Sequence, residues 1–150
     1  MKMKKTEIKL EKENNDFFRE WIIKEWEHHN TVDPIYQLNI IRPEELKFES
    51  NEEYYKIIFK NVIVGFIGLK IYNKSIYVYR FYIDDEYRGR GIGTITLEKI
   101  VEKAKIENKD ISLDVFGENV AKRLYEKLGF KDRYTNMVLK INDDKTLYHD

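Results

Sequence analysis

Three apolar segments follow one another in the middle of the chain, and their short connections constrain the fold more than any other feature. They span residues 53–59, 62–71 and 75–83, and the dipeptides Lys60-Asn61 and Asn73-Lys74 lie between them. Such dipeptides are typical of tight turns between strands. Parallel neighbours need a crossover of about a dozen residues or more, so these connections predict three antiparallel strands.

The next segments predict a crossover to a parallel strand. Residues from Gly91 to about Glu107 carry an apolar stripe at helical spacing, and residues 111–116 are predicted to form a strand. A right-handed crossover would place that strand parallel to residues 75–83. Residues 117–128 are predicted as a second helix, which ends at Gly129, where a left-handed cap residue is needed.

The remaining segments complete the predicted fold. Alternation in residues 6–10 predicts a strand, and Asn14 or Asn15 would cap a helix from about Asp16 to residues 28–30. Both prolines fall within residues 31–50, predicted as a loop with one short helix at 43–47. Residues 130–134 and 136–141 are predicted as closing strands, and 142–150 as a frayed tail. We therefore expect residues 1–150 to form one α/β (α+β) domain. Its mixed, mostly antiparallel central sheet would have six to seven strands and helices on its flanks.

Composition limits the classes of partner. The 27 Lys and Arg residues balance the 27 Asp and Glu residues, so no bias toward nucleic acid or membrane surfaces is expected and any anion site must be local. Without cysteine, the chain has no disulfide, thiolate metal site or cysteine nucleophile. Residues 1–5 are basic but do not lead into the apolar core of a signal peptide, and no apolar run approaches the roughly 18 residues of a membrane span. A cytoplasmic protein is the expectation.

A glycine-rich turn separates the third strand from the crossover helix. It reads Arg88-Gly89-Arg90-Gly91-Ile92-Gly93-Thr94. The alternating glycines remove Cβ atoms and allow positive φ angles that point successive N–H groups into one concavity. The following helix adds its positive N-terminal end, and the two arginines add full charges. This combination predicts a site for a phosphate or pyrophosphate.

Three other kinds of glycine turn are alternatives to a phosphate site. A turn that only reverses the chain remains an alternative for the turn taken alone. A P-loop is excluded because no Gly-Lys-Ser/Thr follows. Asp114 could mimic the ribose-binding acid of a Rossmann turn, but the third Rossmann glycine is missing beyond Thr94. The preceding strand also closes an antiparallel meander, whereas a Rossmann turn opens a parallel array.

Two motifs carry a resemblance to a known family. The pattern Arg88-x-x-Gly91-x-Gly93 resembles the Arg/Gln-x-x-Gly-x-Gly/Ala signature of the GNAT superfamily of acyl-CoA N-acyltransferases. Residues 114–130, with Asn119, Ala121, Tyr125 and a terminal Gly129-Phe130, are similar to that family's second cofactor motif. A proline often found near Asp85 is absent. The two matches and the strand order around them cover residues 62–141 and imply the GNAT fold, in which a parallel pair of strands splays apart.

The resemblance implies acetyl-CoA as co-substrate and no metal. Backbone N–H groups of residues 88–94 would hold the pyrophosphate, and the free edge of residues 81–83 would pair with the pantetheine amides. An N–H near Ile83 would donate to the thioester oxygen. Asn119 would hydrogen-bond the pantetheine, and Lys122 or Arg123 could reach the 3′-phosphate. The cofactor-binding residues predicted in this way are Phe81, Tyr82, Ile83, Arg88, Gly89, Arg90, Gly91, Ile92, Gly93, Thr94, Asn119 and Lys122.

The resemblance also gives Tyr125 the role of general acid toward the departing thiolate. A phenol with an ordinary pKa near 10 can donate a proton to a thiolate. The alternative is that Tyr125 is a core residue without a catalytic role, since the chain has eleven tyrosines. The family commonly carries a carboxylate as general base on the strand equivalent to residues 75–83, and this strand has none. The fallback candidates are Asp84, Asp85, Glu118, His28 and His29.

The acceptor site is expected between the first helix, the 31–50 loop and the central strands. Trp21, Trp26, Tyr36 and Tyr79 could line it, and Asp33 or Glu27 could attract a cationic amine. The expected function is transfer of an acetyl group from acetyl-CoA to a primary amine of a small molecule, peptide or protein, by direct attack in a ternary complex. A non-catalytic acyl-CoA sensor or interaction module is the alternative. Family members are often dimers, so the resemblance implies a homodimer, and no nucleic-acid or membrane partner is expected.

Overall fold

The computed structural model describes residues 3–32, 42–115, 122–135, 137, 139 and 141. Within these ranges the strands are β1 (Ile8–Glu13), β2 (Glu52–Phe59), β3 (Val62–Ile71), β4 (Ser75–Ile83) and β5 (Asp110–Leu113). The α-helices are α1 (Arg19–Val32), α2 (Ile92–Glu107) and α3 (Lys122–Lys127), and single 3-10 turns lie at Lys5–Glu7, Asn15–Phe18, Pro43–Glu45 and Asp85–Tyr87.

The five strands form one sheet in chain order, β1-β2-β3-β4-β5. The pairs from β1 to β4 are antiparallel, and β4 with β5 is parallel. The Lys60-Asn61 turn has φ angles of 50° and 63°, the left-handed pair that matches the twist of a two-residue hairpin. The predicted meander and the predicted parallel crossover are both confirmed.

The sheet has fewer strands than the six to seven predicted. Residues 130–134 lie in the described part of the chain but form no strand. Residues 131–135 are exposed there, because Lys131, Asp132 and Arg133 follow one another and offer no apolar face to pack. The predicted strand 136–141 lies partly, and the predicted tail 142–150 wholly, outside the described residues. Likewise, residues 117–121 of the second predicted helix lie outside them.

Local signals explain where the helices begin and end. The Asn14 side chain accepts a hydrogen bond from the Phe17 N–H at 3.1 Å, as predicted for a cap. The cap opens a 3-10 turn, so α1 begins at Arg19, three residues later than predicted, and it runs on to Val32. Gly91 (φ 89°) caps α2, and Gly129 (φ 101°) has the left-handed conformation predicted for it.

The helices α1 and α2 cover opposite faces of the sheet, and both contact β4. Packing of α2 against one face buries Leu97, Ile100 and Ala104 with Ile67 and Ile76. The 3-10 turn before α1 and the helix itself bury Phe18 and Ile22 against Tyr54 and Phe66 on the other face. Because side chains alternate along a strand, β4 presents residues to both helices. The candidate site lies at its C-terminal half.

Candidate active site

The parallel pair comes apart in the middle of β4. Its pairing with β5 runs from Ser75↔Asp110 to Val78↔Leu113, whereas β4 continues to Ile83. On the other side, Val78 pairs with Leu69 and Arg80 with Gly68, so Tyr79 has no counterpart on β3 and forms a bulge. A bulge bends its strand and increases the local twist. The second half of β4 therefore extends past the last pair with β5.

Beyond Val78, β4 has an edge that no described strand pairs, called the free edge below, and it carries backbone donors that face this gap. The Asp84 N–H donates to Val64 O on β3 at 2.8 Å, whereas the Phe81 N–H donates away from β3, to Glu25 Oε2 on α1 at 2.9 Å. Alternation along an antiparallel strand directs the Ile83 N–H and C=O to the same side as those of Phe81. The Ile83 carbonyl accepts a hydrogen bond from Arg88 Nε there at 2.7 Å.

The glycine-rich turn closes a pocket at the N-terminus of α2. Gly89 and Gly91 have φ angles of 75° and 89°, which other residues rarely adopt. The pocket has a volume of about 210 Å³. Its lining consists of Ile83, Tyr87, Arg88, Gly89, Gly91, Ile92, Gly93, Thr94 and Leu124. Seven of these nine residues are among those predicted from the sequence to bind the cofactor, and Tyr87 and Leu124 are not.

Arg88 fastens the turn to the end of β4. Besides the Nε bond to Ile83 O, its Nη1 is paired with the carboxylate of Asp85, and its guanidinium lies 5.1 Å from the centroid of the Tyr82 ring. Its buried Nη2 has no hydrogen-bond partner within the part of the chain that the structure describes. A buried donor without a partner costs free energy, so this atom is suited to an anion entering the pocket.

Neither Arg90 nor Lys122 is among the residues that line the pocket. The Arg90 guanidinium lies 5.3 Å from the centroid of the Tyr87 ring. Lys122 Nζ pairs with Asp132 Oδ2 at 3.3 Å. Asn119 lies outside the described residues. Their predicted contacts to a cofactor therefore stay predictions.

Tyr125 is half-buried on α3, and its ring meets that of Phe130 edge-on at 6.1 Å. Burial raises the pKa of its hydroxyl to about 12, and the negative charge of Glu25 acts in the same direction. The hydroxyl therefore holds its proton at neutral pH and can act as a donor. Tyr125 also packs against the core cluster that α2 forms with β3 and β4.

Glu25 is the functional candidate that sequence reasoning missed. Its side chain is 1% exposed, and Oε1 pairs with Arg80 Nη1 at 3.3 Å while Oε2 accepts the Phe81 N–H. Burial raises the pKa of its carboxyl group to about 7, although Arg80 and the Phe81 N–H favour the charged form. Its spacing from Phe18 and Ile22 puts a carboxylate in the buried stripe of α1, a signal that could have identified it.

Arg80 links Glu25 to a second buried carboxylate. Its Nε donates to Tyr54 OH at 3.1 Å, and that hydroxyl donates to Glu52 Oε1 at 2.7 Å. The guanidinium lies 4.4 Å from the centroid of the Tyr79 ring and 5.5 Å from that of Trp26. Trp26 and Tyr79, two of the four aromatic residues expected to line the acceptor site, therefore contact the guanidinium of Arg80.

The other residues predicted as general bases or as lining of the acceptor site differ in their contacts and exposure. Asp84 lies 3.8 Å from Lys24 Nζ, and Asp85 pairs with Arg88. The His28 ring is 6.1 Å from that of Tyr82 and 6.4 Å from that of His29, and burial and the charge of Arg88 lower the pKa of His28. Trp21 packs against Phe66 and Tyr82, and Glu27 is exposed. Asp33, Tyr36 and Glu118 lie outside the described residues.

The described residues contain neither a metal-binding cluster nor a membrane-spanning helix. No group of three or more His, Cys, Asp or Glu side chains among them could hold a metal ion. None of the helices in the described ranges has the length and apolar character needed to cross a bilayer.

Comparisons with known proteins agree on the family. The model of the acetyltransferase (GNAT) family matches residues 13–130. The spermine/spermidine N(1)-acetyltransferase of Bacillus subtilis (strain 168) is 28% identical over 127 residues, which cover 74% of this chain and 82% of that protein.

Solved structures share the fold at lower identity. A tetramutant of the Bacillus halodurans BH1408 protein superimposes with a TM-score of 0.73 at 20% identity, covering 89% of this chain and 99% of that one. An aminoglycoside N-acetyltransferase in complex with CoA has a TM-score of 0.61 at 12% identity, covering 89% and 93%. Since the family model spans well over half of its residues, the chain belongs to the GNAT family of acetyltransferases.

Proposed function

We propose that this protein transfers the acetyl group of acetyl-CoA to a primary amine by direct attack in a ternary complex. The observation that carries the proposal is the continuity between two features. The glycine pocket at the N-terminus of α2 and the free edge of β4 share Ile83, which lines the pocket and also contributes backbone groups to the edge. One extended ligand with a phosphate end and an amide-bearing arm would fit both.

The residues present suit the phosphate end of such a ligand. An added Cβ at Gly89 would meet no described atom within 4 Å, so the backbone there is open to close approach. The unpartnered Arg88 Nη2 supplies a charged donor beside the turn. The N-terminal end of α2 adds partial positive charge in the same place.

The residues of the gap suit acyl transfer. Acetyl-CoA would supply an activated acyl carbon as a thioester. The N–H groups of Phe81 and Ile83 face the gap and could stabilise negative charge on the thioester oxygen. Tyr125, whose raised pKa keeps it protonated, could give a proton to the thiolate as it leaves.

A polyamine is the first amine to test. The proposal rests here on the relative named a spermine/spermidine N(1)-acetyltransferase. The alternative function, an acyl-CoA sensor without turnover, is favoured by one observation, that β4 carries no carboxylate between Ser75 and Ile83. The cytoplasmic location, the homodimer and the single domain stay predictions.

The proposal is tested by measuring acetyl-CoA binding calorimetrically and thiol release with a panel of amines that includes spermidine. We expect binding and amine-dependent thiol release. Acetyl-CoA binding without turnover on any amine would favour the sensor, and absence of binding would refute both functions.

A substitution series at Gly93 tests the pocket directly. An added Cβ there would lie 3.5 Å from Ile83 Cδ1 and 3.7 Å from Leu124 Cδ2, which are ordinary contacts, and the residue is helical rather than left-handed. Gly93→Ala should therefore fold and bind normally, whereas the larger Gly93→Val side chain should fill the pocket and weaken acetyl-CoA binding about tenfold or more. Equal affinities of the two variants would contradict the assignment of the pocket.

A further inference from the structure

We propose that Glu25 is the proton acceptor for the amine in this transfer, in place of a carboxylate on β4. The inference rests on the proposed function, because it assigns a role within the same reaction. It is argued from the position of the carboxylate on α1, from the charges around it, and from the hydrogen bond that it makes at the free edge of β4.

Position is the first argument. Glu25 Oε2 lies 2.9 Å from the Phe81 nitrogen and accepts a backbone N–H that faces the gap. A thioester oxygen held by that N–H would take the place that Oε2 now occupies. The carboxylate, released from that N–H but still paired with Arg80, would then lie next to the thioester, where the amine must attack.

Charge is the second argument. The groups that face Glu25 are Arg80 from β4 and Tyr125 from α3, and Arg80 is shared through Tyr54 with Glu52. The Arg80 guanidinium is thus divided between Glu25 and the Tyr54–Glu52 pair, and Lys70 is the cross-strand partner of Glu52. The ionised carboxylate of Glu25 would attract an ammonium group that enters the gap.

Basicity is the third argument. A carboxylate with an ordinary pKa is a weak base at neutral pH, whereas burial raises the pKa of Glu25 to about 7. General bases are most effective when their pKa lies near the working pH. Asp85 is exposed and paired with Arg88, so its carboxylate is not removed from water as that of Glu25 is.

The proton and electron balance is complete with these residues. Glu25 takes one proton from R–NH₃⁺, and the freed nitrogen lone pair forms the C–N bond at the acyl carbon. The C–S bond breaks, sulfur leaves with its electron pair, and Tyr125 donates a proton to it. The second nitrogen proton restores the Tyr125 hydroxyl, and the proton on Glu25 passes to solvent. The products are the amide, the free thiol and one proton.

Glu25→Gln tests the inference, because glutamine keeps an acceptor for the Phe81 N–H but cannot take a proton at neutral pH. We expect kcat to fall about 100-fold or more, and the acidic limb of the pH profile of kcat/KM, near pH 7 in the parent protein, to disappear. The Kd for acetyl-CoA should change by less than about threefold. Glu20→Gln, at an exposed position of the same helix, is the matched control and should leave all three unchanged.

The outcomes separate the two levels of the proposal. Turnover by Glu25→Gln within about threefold of the parent protein, with the acidic limb intact, would overturn the role of Glu25 and leave the acetyltransferase proposal standing. Absence of turnover by the parent protein on every amine would overturn both. Glu25→Asp provides a second variant that retains a carboxylate. It should keep the acidic limb at reduced kcat, and loss of the limb in this variant would also refute the role.

Discussion

Burial of Glu25 should make the stability of this protein fall as the pH rises through neutrality. In the folded protein the pKa of this carboxyl group is about 7, against an ordinary value of 4.5. Between these pH values the unfolded chain has released the proton and the folded chain still holds it. The free energy of unfolding therefore decreases with increasing pH in this window.

The size of the effect follows from the same two values. A pKa difference of about 2.5 corresponds to about 3 kcal/mol, since each unit is worth about 1.4 kcal/mol. Almost all of this change should occur between about pH 4 and pH 8. Glu25→Gln removes the titrating group while keeping the side-chain shape, so the stability of the parent protein minus that of the variant should fall by about 3 kcal/mol across this range.

Urea unfolding at several pH values measures the difference. Trp21 and Trp26 lie on α1 on either side of Glu25 and provide the fluorescence signal. Equal m-values would show that the two proteins expose the same surface area on unfolding. Glu20→Gln is the control and should follow the parent protein at every pH. Parallel stability curves for the parent protein and Glu25→Gln would refute the reasoning, because they would mean that Arg80 and the Phe81 N–H offset the cost of burying the charge.

Two further substitutions probe the groups around the gap. Tyr125→Phe should lower kcat about 100-fold and leave the Kd for acetyl-CoA nearly unchanged, because only the proton donor is lost. Stopped assays of thiol release measure kcat, and calorimetry measures Kd. An identical kcat would show that Tyr125 is not the general acid. Tyr54→Phe should reduce the free energy of unfolding by about 1–3 kcal/mol, because Glu52 and Arg80 lose a buried hydrogen-bond partner. Urea unfolding measures this free energy. An unchanged urea midpoint would contradict the hydrogen-bond network.

Some parts of the fold followed from short stretches of sequence. The turn at Lys60-Asn61 and the left-handed residues Gly91 and Gly129 depend on backbone preferences of a few neighbouring residues, and all were predicted. The ends of α1 were less accurate, because a 3-10 turn after Asn14 satisfies the same cap as an α-helix would. The predicted strand at 130–134 was wrong, because the consecutive charged residues Lys131, Asp132 and Arg133 offer no apolar face to bury.

The sequence by itself determined the antiparallel meander, the crossover and the glycine turn, because short connections and positive φ angles are local constraints. Only the tertiary structure decided which side chains surround the gap. Glu25 lies more than fifty residues from Arg80 and Phe81 in the chain, yet it contacts both. The bulge at Tyr79 and the packing of α1 across β4 bring them together. The helical spacing of Glu25 with Phe18 and Ile22 indicates a buried position, but only the packing of these elements decides that the carboxylate meets Arg80 and the Phe81 N–H there.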